Sequence, residues 1–476
     1  MVKIAKSRFR NPISRYIIKR NSNCIKCEAC VKICKFGVHK IYKNGPSRPD
    51  ESKCIGDFCK DKCIDKCPKG ALSLKLNPLL EIIGDFRWTP DLILSTWYEA
   101  ETGNVPEYFE YRIGNSGGGF DRLKFRFQKN VKMIKDNEIS LSIPLNKRND
   151  GREKIEIGLP CYGAGMSFGS TALSVMIARA KAAKRLNTFT STGEGGYPDE
   201  LKEYDDCMIT QVATGLFGVS EDTIKRVKIV EFKYAQGAKP GLGGHLLGDK
   251  VTEEVARMRQ AIPGSSLFSP FPFHSVYSVE DHKKHLDWIR EVNPKALLSV
   301  KVSTPTDVDM VAVGSFYADC HIIHIDGGYG GTGAAPDIAK KNIAMPIEYA
   351  IPKVHMFLKK EGIRDKITLI ASGGIRTAED VLKAIALGAD GCVIGTSELV
   401  ALECIRCRNC ESGRGCPRGI ATTDPILSKM VDPEWGAQRI VNMYSSWIKQ
   451  FKDVLKRLGM KSITELVGRM DVLKYE

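Results

Sequence analysis

Eight short apolar runs recur along the central part of the chain, and helical patterns separate most of them. The runs are Ile155 to Leu159, Asn187 to Ser191, Met208 to Ala213, Ile229 to Tyr234, Leu297 to Val302, Ile322 to Ile325, Ile367 to Ala371 and Gly391 to Ile394. Helical periodicity fills Ser170 to Arg185, Thr252 to Gln260, Pro346 to Glu361 and Thr377 to Leu387. Strands of this length are buried on both faces when helices return between them, so the pattern predicts an α/β fold, a (β/α)8 TIM barrel. An open doubly wound sheet is the alternative. It is weakened because Gly163-Ala164-Gly165-Met166-Ser167-Phe168-Gly169 lacks the dinucleotide-turn spacing, and no phosphate-binding P-loop occurs.

Polar and glycine-rich residues fall where these strands should end, which is where such barrels build their sites. They include Gly165 and Ser167, Thr192 to Gly196 with Glu194, Gln236 to Gly244, Lys301, Asp326 to Gly333, Ser372-Gly373-Gly374 and Gly395-Thr396. The stretch Val230 to His245 runs from a strand into a loop. Its glycines remove side-chain bulk while Lys239, Gln236 and His245 remain, which suits backbone and cations closing on an anion. Phosphate often sits on the loops after the seventh and eighth strands, positions taken here by Gly373-Gly374 and Gly395-Thr396. A phosphorylated cofactor, FMN, is therefore predicted.

The sixteen cysteines bunch. Eight lie between Cys24 and Cys67, four between Cys404 and Cys416, and Cys161, Cys207, Cys320 and Cys392 stand apart as core residues. Cys24-x2-Cys27-x2-Cys30-x3-Cys34 lets three thiolates wrap one cubane while the fourth reaches another, and Cys54, Cys59, Cys63 and Cys67-Pro68 follow. Zinc sites of four thiolates are the competing reading. Cys404-x2-Cys407-x2-Cys410-x5-Cys416-Pro417 follows the eighth unit and would set a third cluster beside the flavin.

Residues 1–80 hold 19 lysines and arginines against 6 acids, a net +13 of the chain's +15. The remainder is nearly neutral, which argues against an RNA-modifying barrel, whose nucleic acid would need basic residues there. Thiolate-ligated clusters are anionic, so lysines around them offset charge. No apolar run approaches the roughly 20 residues that span a bilayer, and the basic start has no apolar signal core, so a cytoplasmic location is expected. The expected division is 1–80 for a small α+β ferredoxin-like domain with two clusters and 81–150 for a connector, with Gly114 to Gly119 as a joint. Residues 151–425 then make the barrel, and 426–476 a helical tail.

Met166 to Ser170, Thr192 to Gly196, Phe217-Gly218-Val219, Ala235 to Gly241, Tyr277 to Asp281, Asp326-Gly327-Gly328 with Gly331 to Ala334, and Cys416 to Thr422 resemble, in this order, the synthase domain of glutamate synthase large subunits. With the ferredoxin-like start, the chain is similar to the short archaeal-type form. The resemblance implies an oxidoreductase that uses FMN to reduce 2-iminoglutarate, made from 2-oxoglutarate and ammonia, to L-glutamate. It implies Lys239 and Arg259 on the substrate carboxylates, Glu194 at the ammonia entry, and Lys301 beside the flavin. His245 stands where the family has glutamine. Flavin contacts are implied for Gly165, Ser167, Gln236, Gly327, Gly328, Gly331, Thr332, Gly333, Gly373, Gly374, Gly395 and Thr396.

The same resemblance implies one 4Fe-4S cluster on Cys24, Cys27, Cys30 and Cys67, and another on Cys34, Cys54, Cys59 and Cys63. It further implies a 3Fe-4S cluster on Cys404, Cys410 and Cys416, with Cys407 an added thiolate that would allow 4Fe-4S. Lys35 replaces a usual proline. The glutaminase domain of long members has no counterpart here, so ammonia is expected from a separate glutaminase-like subunit or from solution. Electrons are expected from an NAD(P)H-oxidising subunit or from ferredoxin. Competing functions are the synthase-like subunit of an N-methylglutamate-forming transferase and a pure electron-transfer module.

Overall fold

The computed structural model describes all residues except 10–12, 44, 57–58, 107–118, 130, 132, 271, 332–334 and 412–414. Most of the joint expected at Gly114 to Gly119 lies outside the described residues.

Eight parallel strands form the barrel: Cys161–Gly163 (β1), Thr190–Ser191 (β2), Met208–Ala213 (β3), Ile229–Lys233 (β4), Leu297–Ser303 (β5), Ile322–Asp326 (β6), Thr368–Ser372 (β7) and Gly391–Ile394 (β8). Their hydrogen-bonded order runs β1-β8-β7-β6-β5-β4-β3-β2. The last gap closes where the Gly163 N–H donates to the Phe189 carbonyl at 2.9 Å and Gly165 bridges Ser191. Every residue of β3 to β8 is buried, as expected for strands covered by helices on one face and packed against one another on the other. Helices Leu173–Arg185, Val308–Tyr317, Ile347–Lys360 and Ala378–Leu387 supply the outer layer.

The first barrel strand is not the expected run Ile155 to Leu159. Glu156–Ile157 instead pairs antiparallel with Ile143–Pro144. The Pro144 carbonyl accepts from Thr368 Oγ1 at the start of β7, and Ile143 lies against Gly391 at the start of β8, so this hairpin caps the N-terminal mouth. Pro160 has no N–H to give a sheet ladder, and β1 begins directly after it. The tail is also not wholly helical. Pro433–Leu458 is one long helix, but Leu473–Tyr475 pairs antiparallel with Leu123–Phe125.

Near the N-terminus, Tyr16–Arg20 pairs antiparallel with Leu72–Leu76. The tyrosine and isoleucines suit a half-buried strand, and Tyr16 and Ile18 face inward. Few apolar residues are buried here: Ile18, Val38 and Leu72 form the cluster, with Cys30, Cys34, Cys54, Cys63 and Cys67 against it. Helix Pro90–Thr102, capped by Thr89, packs on the long C-terminal helix. Glu99 accepts there from Ser446, Trp447 and Gln450.

Candidate active site at the open end of the barrel

A small pocket opens at the C-terminal ends of the strands, lined by Glu194, Lys233, Gln236, Lys239, Gly243 and Gly244 among others. Lys233, the last residue of β4, donates to Glu194 at 3.1 Å and to Gln236 Oε1 at 2.8 Å. Gln236 in turn donates to the Gly243 carbonyl, which pins the loop. A Cβ at Gly244 would overlap the Glu194 carboxylate and force it to shift. Gly237 allows a second close approach, since a Cβ would strike the backbone of Asp326 and Gly327.

Burial alone would raise the Glu194 carboxyl, but Lys233, Arg259 and Lys301 outweigh it and hold the group below its ordinary range. Lys239 is pushed down to about 8 by burial and by Lys233. Its Nζ lies 2.8 Å from His245 Nδ1, and His245 Nε2 lies 3.3 Å from Glu411 of the cysteine loop. Burial and then Lys239 lower the His245 imidazole. Arg259, at the C-terminus of its helix, is buried and donates to Ser167 Oγ at 2.8 Å and to the Phe168 carbonyl at 2.9 Å. Its Nε has no partner among the described residues.

Beneath the pocket runs a polar column inside the barrel. Lys301 of β5 pairs with Asp326 of β6 at 3.3 Å, and Asp326 accepts from Ser372 of β7 at 2.6 Å. Ser372 meets His324 at 2.7 Å, and His324 meets Glu231 of β4 at 2.9 Å. Gln211 and Ser299 complete the Glu231 carboxylate. Burial opposes ionisation throughout, yet Lys301 and His324 hold both Asp326 and Glu231 down at about 2. Burial would lower Lys301, but Asp326 and Glu231 raise it, which keeps it cationic. A barrel interior is usually filled by branched apolar residues, so this column is an unusual investment in charge.

The glycines expected to meet a cofactor gather on the same rim. Gly327 donates to the Ser372 carbonyl and Gly328 to Met345, while Gly331, Gly373 and Gly374 have positive φ. Thr332 and Gly333 lie outside the described residues. The loops after β7 and β8 are tied together, because Ser397, just past Gly395 and Thr396, donates to the Ile375 and Arg376 carbonyls. Against Gly374 rests the guanidinium of Arg87, which also covers the Tyr329 ring at 4.5 Å. Arg87 is 5% exposed, forms no ion pair among the described residues, and leaves Nε and Nη1 without partners there. Burial and then Arg376 push it down to about 10. Arg376, by contrast, is saturated by Asp121 and Asp380.

The N-terminal cysteines line two cavities. One cavity is lined by Cys24, Cys27, Cys30 and Cys67, with Arg20 donating to Cys30 Sγ. Another is lined by Cys34, Cys54, Cys59 and Cys63. Among the described residues no three His, Cys, Asp or Glu side chains converge tightly enough to chelate one ion. Cys404, Cys407, Cys410 and Cys416 lie on the loop after β8, where Lys250 donates to the Cys410 and Ala421 carbonyls. This loop touches the pocket through Glu411 and the connector through Asp85 to Arg406 at 2.9 Å.

Sequence reasoning did not single out Lys233, Glu231, His324, Glu411 or Arg87. Glu231 and Lys233 sit inside an apolar run with period-two spacing, a signal for one inward face. Arg87 stands in the connector, where no pattern marks chemistry.

Residues 112–461 match the family model described as the conserved region in glutamate synthase. Archaeal-type glutamate synthase (NADPH) of Thermotoga maritima is 36% identical, over 96% of this chain and 94% of that protein. Archaeal glutamate synthase (NADPH) of Methanocaldococcus jannaschii is 36% identical over 97% and 95%. The flavin-binding domain of baker's yeast flavocytochrome b2 superposes with a TM-score of 0.46 at 17% identity, covering 75% of this chain and 76% of that one. With a family match over most of its length and full-length relatives of this similarity, the chain belongs to the glutamate synthase family.

Proposed function

We propose that the chain is a glutamate synthase that reductively aminates 2-oxoglutarate with ammonia, by way of 2-iminoglutarate, to L-glutamate. The observation that carries this reading is the pocket, where the buried Lys239 has no carboxylate partner among the described residues and faces the Glu194–Lys233 pair. A dicarboxylate supplies the missing anion, with Lys239 on one carboxylate and Arg259 on the other. Glu194 is ionised and hydrogen-bonded, suited to take a proton from ammonium so that ammonia attacks the keto carbon, and to return a proton to the hydroxyl that departs as water. Imine formation then releases one water, and reduction adds a hydride at the imine carbon.

FMN fits the rim by its donor set. The Arg87 guanidinium, which donates to the Gly374 carbonyl but forms no ion pair among the described residues and leaves Nε and Nη1 without partners there, suits its phosphate, and Lys301, kept cationic by the column below, suits the N1 edge of its ring. Bound FMN supplies the hydride. The column's part is to hold Lys301 fixed and charged, and the apolar strands around it exclude water. Two 4Fe-4S clusters on the two cysteine sets of residues 24–67 and a third cluster on residues 404–416 would feed the flavin. Residues 1–80, 81–150, 151–425 and 426–476 are the proposed divisions. An NAD(P)H-oxidising subunit or ferredoxin would supply electrons, and a glutaminase-like subunit or free ammonium the nitrogen.

The test is an anaerobic assay of the purified holoenzyme with 2-oxoglutarate, ammonium and a chemically reduced low-potential donor. Glutamate accumulates if the reading is right; no glutamate with any donor contradicts it.

A further inference from the structure

The first and third cysteine groups repeat one design. Cys24-x2-Cys27-x2-Cys30 and Cys404-x2-Cys407-x2-Cys410 share their spacing, and each is followed by a further cysteine that precedes proline, Cys67-Pro68 far along the chain and Cys416-Pro417 six residues on. The backbone repeats with the spacing. Lys26 and Glu28 flank Cys27 at φ of 56° and 61°, and Arg406 and Arg408 flank Cys407 at 59° and 64°. Few non-glycine residues adopt this left-handed conformation, and lysine, arginine and glutamate lack the short polar side chain that eases it for asparagine. Four such residues at matching positions therefore reflect a shared requirement. Alternating left-handed residues turn successive N–H groups toward one side and form a concavity for an anion. In the third group the Arg406 N–H already points to Cys404 Sγ at 3.5 Å.

Cys407 thus holds the place that Cys27 holds in the first group, where Cys24, Cys27, Cys30 and Cys67 line one cavity together. We infer that Cys407 is an iron ligand and that residues 404–416 hold a four-iron (4Fe-4S) cluster built like the first, instead of the three-iron cluster implied by family resemblance. The inference rests on the reading that this loop binds an iron-sulfur cluster at all.

The test uses the full chain, purified anaerobically and studied in its oxidised state by iron and labile-sulfide analysis, Mössbauer and low-temperature EPR spectroscopy. The wild type should contain only four-iron clusters and show no half-spin signal. Cys407→Ala should lose one iron per chain and gain the half-spin signal of a three-iron cluster, with the N-terminal clusters unchanged. Cys27→Ala should do the same at the first site. The inference is overturned if anaerobic wild type already carries a stoichiometric three-iron signal that Cys407→Ala leaves unaltered. The wild-type measurement decides the matter even if a variant fails to fold. Iron sufficient for two clusters only would overturn both this inference and the reading of the loop as a cluster site.

Discussion

The N-terminal region and the barrel carry charge and core in opposite ways. Around the cysteines most of the basic residues are exposed and the apolar cluster is three aliphatic side chains. In the barrel's polar column the charges are buried and paired within a continuous apolar core, while Lys239 above it has no carboxylate partner among the described residues. The difference teaches that net charge says little about a site, whereas burial of a charge with one place left open says much. It also predicts that the two regions stand on different supports: ligand bonds for the first, hydrophobic burial for the second.

The sharpest way to break this comparison is to withhold iron. Protein produced without clusters should lose amide protection throughout the described part of residues 16–76 in hydrogen exchange, while β3 to β8 remain protected. Equal protection of both regions would end the distinction. A smaller but still large effect is expected inside the barrel. Glu231→Ala strands His324 and should destabilise the barrel by about 3–5 kcal/mol, read as a lowered urea midpoint of its transition.

Arg87→Ala should weaken FMN binding to the flavin-stripped protein by about tenfold to hundredfold while leaving riboflavin binding unchanged, because only the phosphate is touched. Next comes pH. Lys239 titrates at about 8, so below that value it is cationic and holds a carboxylate, and above it the charge is lost. The KM for 2-oxoglutarate should be flat in the acid range and climb above about pH 8, and Lys239→Arg should abolish the climb, since arginine stays charged. The least effect is expected at the exposed pair Lys35 and Asp61, 3.7 Å apart at the second cysteine set. Lys35→Ala should change stability by about 0.5 kcal/mol or less, measured as loss of cluster absorbance with urea.

The barrel was legible in the sequence because six of its strands, β3 to β8, lie in mostly apolar runs. β1 was not, since it is three residues long and the more apolar run before Pro160 masks it. Glu194, Lys239, Arg259 and Lys301 were expected through family resemblance, and the charges of Lys239, Arg259 and Lys301 each act on Glu194 or are acted on by it. The column beneath them was not, because Glu231 and His324 each look like one polar residue in an apolar strand until the register brings them side by side. Arg87 and Glu411 reach the site from segments distant in sequence, which no local pattern reveals.

The pocket of Glu194, Lys233 and Lys239 is the proposed place where 2-oxoglutarate and ammonia are joined and reduced. Stopped-flow reoxidation of the anaerobically reduced holoenzyme tests it most directly. The account predicts rapid flavin reoxidation on mixing with 2-oxoglutarate and ammonium together, little with either alone, and loss of the fast phase in Lys239→Ala. Reoxidation by 2-oxoglutarate alone, or a fast phase unchanged in that variant, would contradict it.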